Sequence, residues 1–123
     1  MVLVDTSVWV SYLRGGNVRL VNLLNDGKVV CHPFIVGEIA CANLRNRTGI
    51  LSLLQSLPLS IEAEHEEVLA FIESHRLMGK GLGYVDIHLI ASAVLTEVSL
   101  WTLDKRLEQV ASTLCINDQQ EAR

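Results

Sequence analysis

Four acidic residues, Asp5, Glu38, Asp86 and Asp104, are spread through a 123-residue chain that is 50% hydrophobic, and each interrupts or abuts an apolar run. A carboxylate beside a core is disfavoured by desolvation, and two within ~4 Å of each other repel by roughly 4 kcal/mol at an effective dielectric near 20. Four of them gathered in one place therefore require a cation. A set of oxygen ligands suits a hard divalent ion such as magnesium, which keeps several waters and leaves room for a phosphate oxygen.

Capping is the competing explanation. Asp is a favoured N-cap, and Asp5, Asp86 and Asp104 each directly precede a predicted helix. Glu38 is different: it falls inside its predicted helix among Ile35, Val36, Ile39 and Ala40, where a cap role is closed to it and an unpaired carboxylate is costly. Its own alternative is a side chain that snorkels to solvent or pairs with an arginine such as Arg14 or Arg45.

The elements that must position these groups follow from hydrophobic periodicity. Val2-Leu3-Val4 is too short for a buried helix and is rich in β-branched residues, so it predicts an interior parallel strand that ends at Asp5. Thr6 and Ser7 offer capping hydroxyls to a helix reaching Arg14, where Gly15-Gly16 stops it. Asn17 caps a second helix with Val18, Val21 and Leu24 on one face, followed by a strand over 28–31. Pro33 fits the first turn of the helix that carries Glu38, and a short helix over 48–57 leads through Pro58 to a strand over 59–61. A long helix over 62–77, a glycine loop with Gly79, Gly81 and Gly83, and an apolar helix from Asp86 to Leu95 come next. A strand over 99–103, a helix over 104–111 and a closing strand over 113–116 complete the chain. Alternating strands and helices predict an α/β fold, a parallel sheet of about five strands between two helical layers, with active-site residues at the strands' carboxyl ends.

Length restricts the chain to one domain, 1–123. The start at Met1 has no basic leader and no stretch approaches the ~20 apolar residues that span a bilayer, so a cytoplasmic location without membrane association is expected. Cys31, Cys41 and Cys115 have no CxxC spacing and read as small buried hydrophobes. A net charge of -4 and a pI of about 5.5 exclude a protein that grips nucleic acid by a broad basic face; contacts must be local, from among Arg14, Arg45, Arg47, Lys80, Lys105 and Arg106. The mean hydropathy of +0.33 favours an exposed apolar patch, and with it a partner protein or a homodimer. Gly79-Lys80-Gly81-Leu82-Gly83-Tyr84 is neither a Walker A loop nor a GxGxxG, and His65-Glu66-Glu67-Val68-Leu69 lacks the second histidine of HExxH.

Val2-Leu3-Val4-Asp5-Thr6-Ser7-Val8-Trp9, Ile35-Val36-Gly37-Glu38-Ile39, Asp86-Ile87-His88-Leu89-Ile90-Ala91 and Trp101-Thr102-Leu103-Asp104, in this order and spacing, resemble the PIN-domain nucleases, and among them the small VapC-type toxins of toxin–antitoxin pairs. The resemblance implies a PIN-like three-layer fold, endoribonuclease activity on RNA and a cognate antitoxin that inhibits it. It also implies a magnesium or manganese site. Asp5 and Asp104 would be its principal ligands, Glu38 and Asp86 would ligate directly or through water, and the hydroxyls of Thr6 and Thr102 would hold them in place. Two other functions are compatible with the residues: an RNA-binding module that does not cut, and a metal-dependent phosphatase, although Asp5-Thr6-Ser7 lacks the second aspartate of the haloacid-dehalogenase type.

Overall fold

The computed structural model describes residues 1–118; the last five residues of the predicted domain lie outside the described residues. Its framework is a parallel sheet of three strands, β1 (Val2–Val4), β2 (Val29–Val30) and β3 (Ser99–Trp101), in the order β2-β1-β3. Val2 pairs with Val29 and Ser99, and Val4 with Trp101. Successive strand residues face opposite sides of a sheet, and Val2, Leu3 and Val4 are all buried, so both faces of the centre are covered. Two further segments run parallel along the edges. Cys31 bridges to Leu59 and Leu100 to Asn117, each through two backbone hydrogen bonds.

The helices that cover the sheet are α1 (Thr6–Gly15), α2 (Val18–Asn25), α3 (Pro33–Ala40), α4 (Arg47–Ser56), α5 (His65–His75), α6 (Tyr84–Thr96) and α7 (Lys105–Thr113). Their ends follow local chemistry. Asn17 Oδ1 accepts from the Leu20 N–H at 3.0 Å to start α2, and Gly16, at φ 85°, takes the turn out of α1. Helix α6 is apolar nearly all round because it is buried: every residue from Ile87 to Ala93 is inside.

Several expectations are corrected. The strand predicted over 59–61 shrinks to a single paired residue, Leu59, because the next backbone groups are captured by α6: the Ile61 N–H donates to Thr96 Oγ1 (2.9 Å) and the Ala63 N–H to Ser92 Oγ (3.1 Å). The same capture delays the long helix to His65. The closing strand over 113–116 is absent; α7 continues to Thr113, Cys115 turns the chain at φ 59°, and pairing resumes at Asn117. In α2 the buried residue is Leu20, while Val18 is 78% exposed, so the inward face is rotated from the one predicted. Cys31 is buried as expected, but Cys41 and Cys115 are exposed.

Trp9 and Leu54 are core residues, and Leu13 and Leu51 pack against the core from partly buried positions. Among the described residues no helix is long and apolar enough to cross a membrane.

Candidate active site

Strand β1 delivers Asp5 to the carboxyl end of the sheet, where its backbone N–H still donates to Trp101 O at 2.9 Å and its side chain caps α1. At 7% exposure this carboxylate needs donors, and it has them. Ser7 Oγ donates to Asp5 Oδ2 at 2.7 Å, Thr102 Oγ1 donates to the same oxygen at 2.8 Å, and the Ser7 N–H approaches it at 3.4 Å. Each hydroxyl also accepts a backbone N–H from the loop after β3: Leu103 donates to Ser7 Oγ (3.0 Å) and Asp104 to Thr102 Oγ1 (3.0 Å). Both hydroxyl protons are therefore committed to Asp5, and the 3.2 Å contact between the two oxygens is a consequence of their shared acceptor.

Asp104 ends this network and caps α7, its Oδ1 accepting from the Arg106 and Leu107 N–H groups at 2.9 and 3.2 Å. The capping explanation thus holds for Asp5 and Asp104 without exhausting them. In each carboxylate the cap occupies one oxygen, and among the described residues the other, Asp5 Oδ1 or Asp104 Oδ2, makes no hydrogen bond.

Asp86 does not cap α6. It occupies the helix's third position and reaches back so that Oδ2 accepts from the Gly83 N–H at 3.1 Å. Burial pushes its carboxyl above the usual range; the Gly83 bond opposes this, and the charges of Asp5 and Asp104 reinforce it. That dependence shows three of the four acids sharing one local field. Glu38 corrects the sequence argument: it is exposed on α3, so no burial cost attaches to it, and it is tied to Thr6 rather than to an arginine, with Thr6 Oγ1 donating to Glu38 Oε1 at 2.6 Å.

Thr6 and Thr102 each donate to one carboxylate, Thr6 to Glu38 and Thr102 to Asp5. Ser7 was not singled out as a site residue. Its only signal is its place beside Asp5 and Thr6, which capping already explained. Also unforeseen is a brace between the helices bearing Glu38 and Asp86: His32, fully buried, caps α3 by accepting the Phe34 N–H on Nδ1 (3.0 Å), which leaves Nε2–H to donate to Ser92 Oγ of α6 (3.1 Å). Among the described residues no three His, Cys, Asp or Glu side chains close into a ready-made metal cage. Asp5, Asp86 and Asp104 act on one another's charge, and Glu38 is linked to Thr6, the neighbour of Asp5 in the chain; among the described residues each carboxylate has one oxygen held and one without a hydrogen bond, a chemistry that fits an ion that takes hard oxygen ligands and keeps much of its water.

Residues 2–112 match the PIN domain family. The chain is 44% identical over 109 residues to Ribonuclease VapC32 of Mycobacterium tuberculosis, in two strains, covering 88% of this chain and 88% of the relative. In three dimensions it is similar to FitAcB from Neisseria gonorrhoeae (TM-score 0.59, 22% identity, 91% of this chain and 94% of that one). PAE2754 from Pyrobaculum aerophilum superposes comparably (TM-score 0.59, 16% identity, 92% and 85%). The two solved structures establish the fold, and the sequence matches establish the lineage: the chain belongs to the PIN-domain family, among its VapC-type members.

Proposed function

We propose that this protein hydrolyses RNA phosphodiesters at the carboxyl end of its sheet, as the toxin of a type II toxin–antitoxin pair. It is an endoribonuclease, as its PIN domain and its ribonuclease relative support. PIN ribonucleases depend on a divalent metal ion; the ion we assign is magnesium, with manganese able to replace it. Its ligands are Asp5, Glu38, Asp86 and Asp104. The observation that carries this assignment is the division of labour within each carboxylate, one oxygen held by the protein and the other uncommitted.

When bound, a divalent ion neutralises the carboxylates, draws charge from the phosphate oxygens and acidifies a water for attack. The chain's own contribution is orientation. Ser7 and Thr102 fix the plane of Asp5, the α7 amides fix Asp104, Gly83 fixes Asp86 and Thr6 fixes Glu38. Glu38 and Asp86, on the more open side, would hold the ion directly or through water and so orient the attacking water.

The remaining features of the reading are a cognate antitoxin, which lays an apolar helix in a groove of the toxin and directs a basic side chain at the acids, a homodimeric state, a cytoplasmic location and a single nuclease domain over 1–123. Substituting Asp5 or Asp104 with Asn removes magnesium- or manganese-dependent cleavage of RNA from a protein that stays folded by circular dichroism. Full activity in either variant removes that residue from the mechanism, and RNA bound without any cleavage by the unsubstituted protein replaces the nuclease with a binding module.

A further inference from the structure

Four carboxylates at one edge of a chain with net charge -4 repel a polyanion, so RNA must find positive charge close by. The chain has only ten lysines and arginines, and two of them are engaged elsewhere. Arg19 pairs with Asp118 and lies over the Trp101 ring, and Arg47 donates to Ala40 O. Lys80 and Arg106 are different: among the described residues neither makes an ion pair, and both line the same cavity of about 200 Å³.

That cavity lies between the end of α5, the glycine loop and α7. Arg106, Gln109 and Thr113, spaced at 3 and 4 residues, present one face of α7 to it; His75 and Lys80 face them across a floor that includes Leu77. Its volume is below the ~300–1,000 Å³ of sites that enclose a whole small-molecule ligand. A single anionic group with its waters is the better match.

The cavity is built into the same backbone as the acids. Arg106 gives its own N–H to Asp104 Oδ1 at 2.9 Å while its side chain turns into the cavity. There it lies on Gly81: a Cβ at that position, where φ is +79°, would come within 3.0 Å of Arg106 Cδ and 3.2 Å of Nη1, so only glycine seats the side chain this closely. Two residues further on, Gly83 donates to Asp86. One loop therefore carries Lys80, seats Arg106 and ends on an acid of the candidate active site.

We propose that Lys80 and Arg106 form a phosphate-binding subsite for a nucleotide flanking the scissile bond of single-stranded RNA. The proposal rests on the ribonuclease reading for its substrate, and deepens it: sequence specificity then lies elsewhere, since a phosphate contact positions the strand without reading bases. The Gln109 amide supplies a neutral donor along the groove, while the Thr113 hydroxyl donates to Gln109 O at 3.0 Å and shapes the wall.

The test is the salt dependence of binding to a fluorescent single-stranded oligoribonucleotide, followed by anisotropy in EDTA so that nothing is cut. Each phosphate contact to a single strand adds about 0.7 to the slope of log Kd against log salt, which at ~0.1 M salt corresponds to about fivefold in affinity. Lys80→Gln and Arg106→Gln each flatten the slope by about 0.7 and weaken binding about fivefold, and the double substitution about 25-fold. Lys28→Gln, the same loss of charge at the amino end of β2 from a residue that does not line the cavity, leaves the slope unchanged. Slopes equal to wild type in both single variants, an equal loss in Lys28→Gln, or no measurable RNA binding by the wild-type protein overturns the subsite. So does a pair of variants that bind RNA normally but no longer associate with the co-expressed antitoxin, since the cavity then belongs to the protein partner. A separate cleavage assay with magnesium keeps the two ideas apart. Cleavage with unchanged slopes sinks the subsite alone, and flattened slopes without cleavage by wild type sink the nuclease alone.

Discussion

The two sides of the candidate site are built differently. Asp5 and Asp104 sit at the ends of adjacent strands, buried or helix-capping, and are joined through Ser7 and Thr102 in a continuous set of hydrogen bonds. Glu38 and Asp86 project from two helices, each held by a single bond, to Thr6 and to Gly83. The strand side is fixed by hydrogen bonds within the chain, so an ion held there would meet ligands already oriented. The helix side is less tied: α3 and α6 are linked near these acids by the His32–Ser92 hydrogen bond and by Phe34 and His32 packing on the His88 ring, and neither Glu38 nor Asp86 is fixed by more than one bond among the described residues.

The largest test of this contrast is activity. Asp5→Asn reduces divalent-dependent RNA cleavage by more than the ~10–100-fold that outer partners of metal ligands are worth, while Glu38→Gln, on the less tied side, loses less. Equal losses in the two variants would remove the distinction. Next come the hydroxyls. Thr102→Val and Ser7→Ala each leave Asp5 short of a donor and lower cleavage about 10–100-fold, whereas Thr6→Val releases an exposed Glu38 and costs a smaller factor. The ratio of these losses, measured at saturating metal, reports how unequally the sides are organised.

Acid titration sharpens the contrast from the brace. Burial, with the His88 charge adding to it, pushes His32 down to about 4 from 6.5. The unfolded chain therefore takes up a proton near pH 6.5 that the folded protein refuses until about pH 4, so this contribution to stability is full above 6.5 and is lost as pH falls toward 4. Denaturant melts across this range should show the loss in wild type and a flatter profile in His32→Asn, which keeps a capping oxygen for the Phe34 N–H and cannot titrate. An unchanged profile in that variant would assign the acid sensitivity to other groups.

The smallest effect concerns Asp86. Its carboxyl is raised, so the folded protein holds a proton that the unfolded chain has released, and stability falls as pH rises from the ordinary carboxylate range through the raised value. In metal-free protein at neutral pH, Asp86→Asn removes the repulsion from Asp5 and Asp104 and raises Tm by about 2 °C after allowance for solvent screening. Manganese should produce a rise in wild type that is smaller in the variant. A drop in Tm for Asp86→Asn would mean that its bond to Gly83 outweighs the repulsion.

Local patterns placed much of this in view. Three β-branched or leucine residues followed by Asp-Thr-Ser can hardly be other than a strand that ends in a capped helix, and β1 and α1 fall where that pattern puts them. Glu38 was found for a reason that does not hold: apolar neighbours in sequence were read as burial, yet on a helix adjacent residues face different ways, and Glu38 points outward with Gly37. The edge strand predicted over 59–61 does not form because strand propensity ignores competing acceptors: Thr96 and Ser92 of α6 take the backbone donors of residues 61 and 63, while the one predicted over 113–116 is displaced by the continuation of α7 to Thr113.

The sequence alone determined that β1 ends at Asp5 and that Asp104 opens the helix after the strand at residues 99–101, because those features depend on periodicity and capping within a few residues. Tertiary structure alone decided which oxygen of each acid is tied and which stays uncommitted, that Ser7 and Thr102 share Asp5 across 95 or more residues, and that Lys80 and Arg106 meet in one cavity. The physical reason is lateral register. Val4 lies beside Trp101 through backbone pairing between strands nearly a hundred residues apart, and no short stretch of sequence specifies which hydroxyl or cation that pairing will bring within hydrogen-bonding distance.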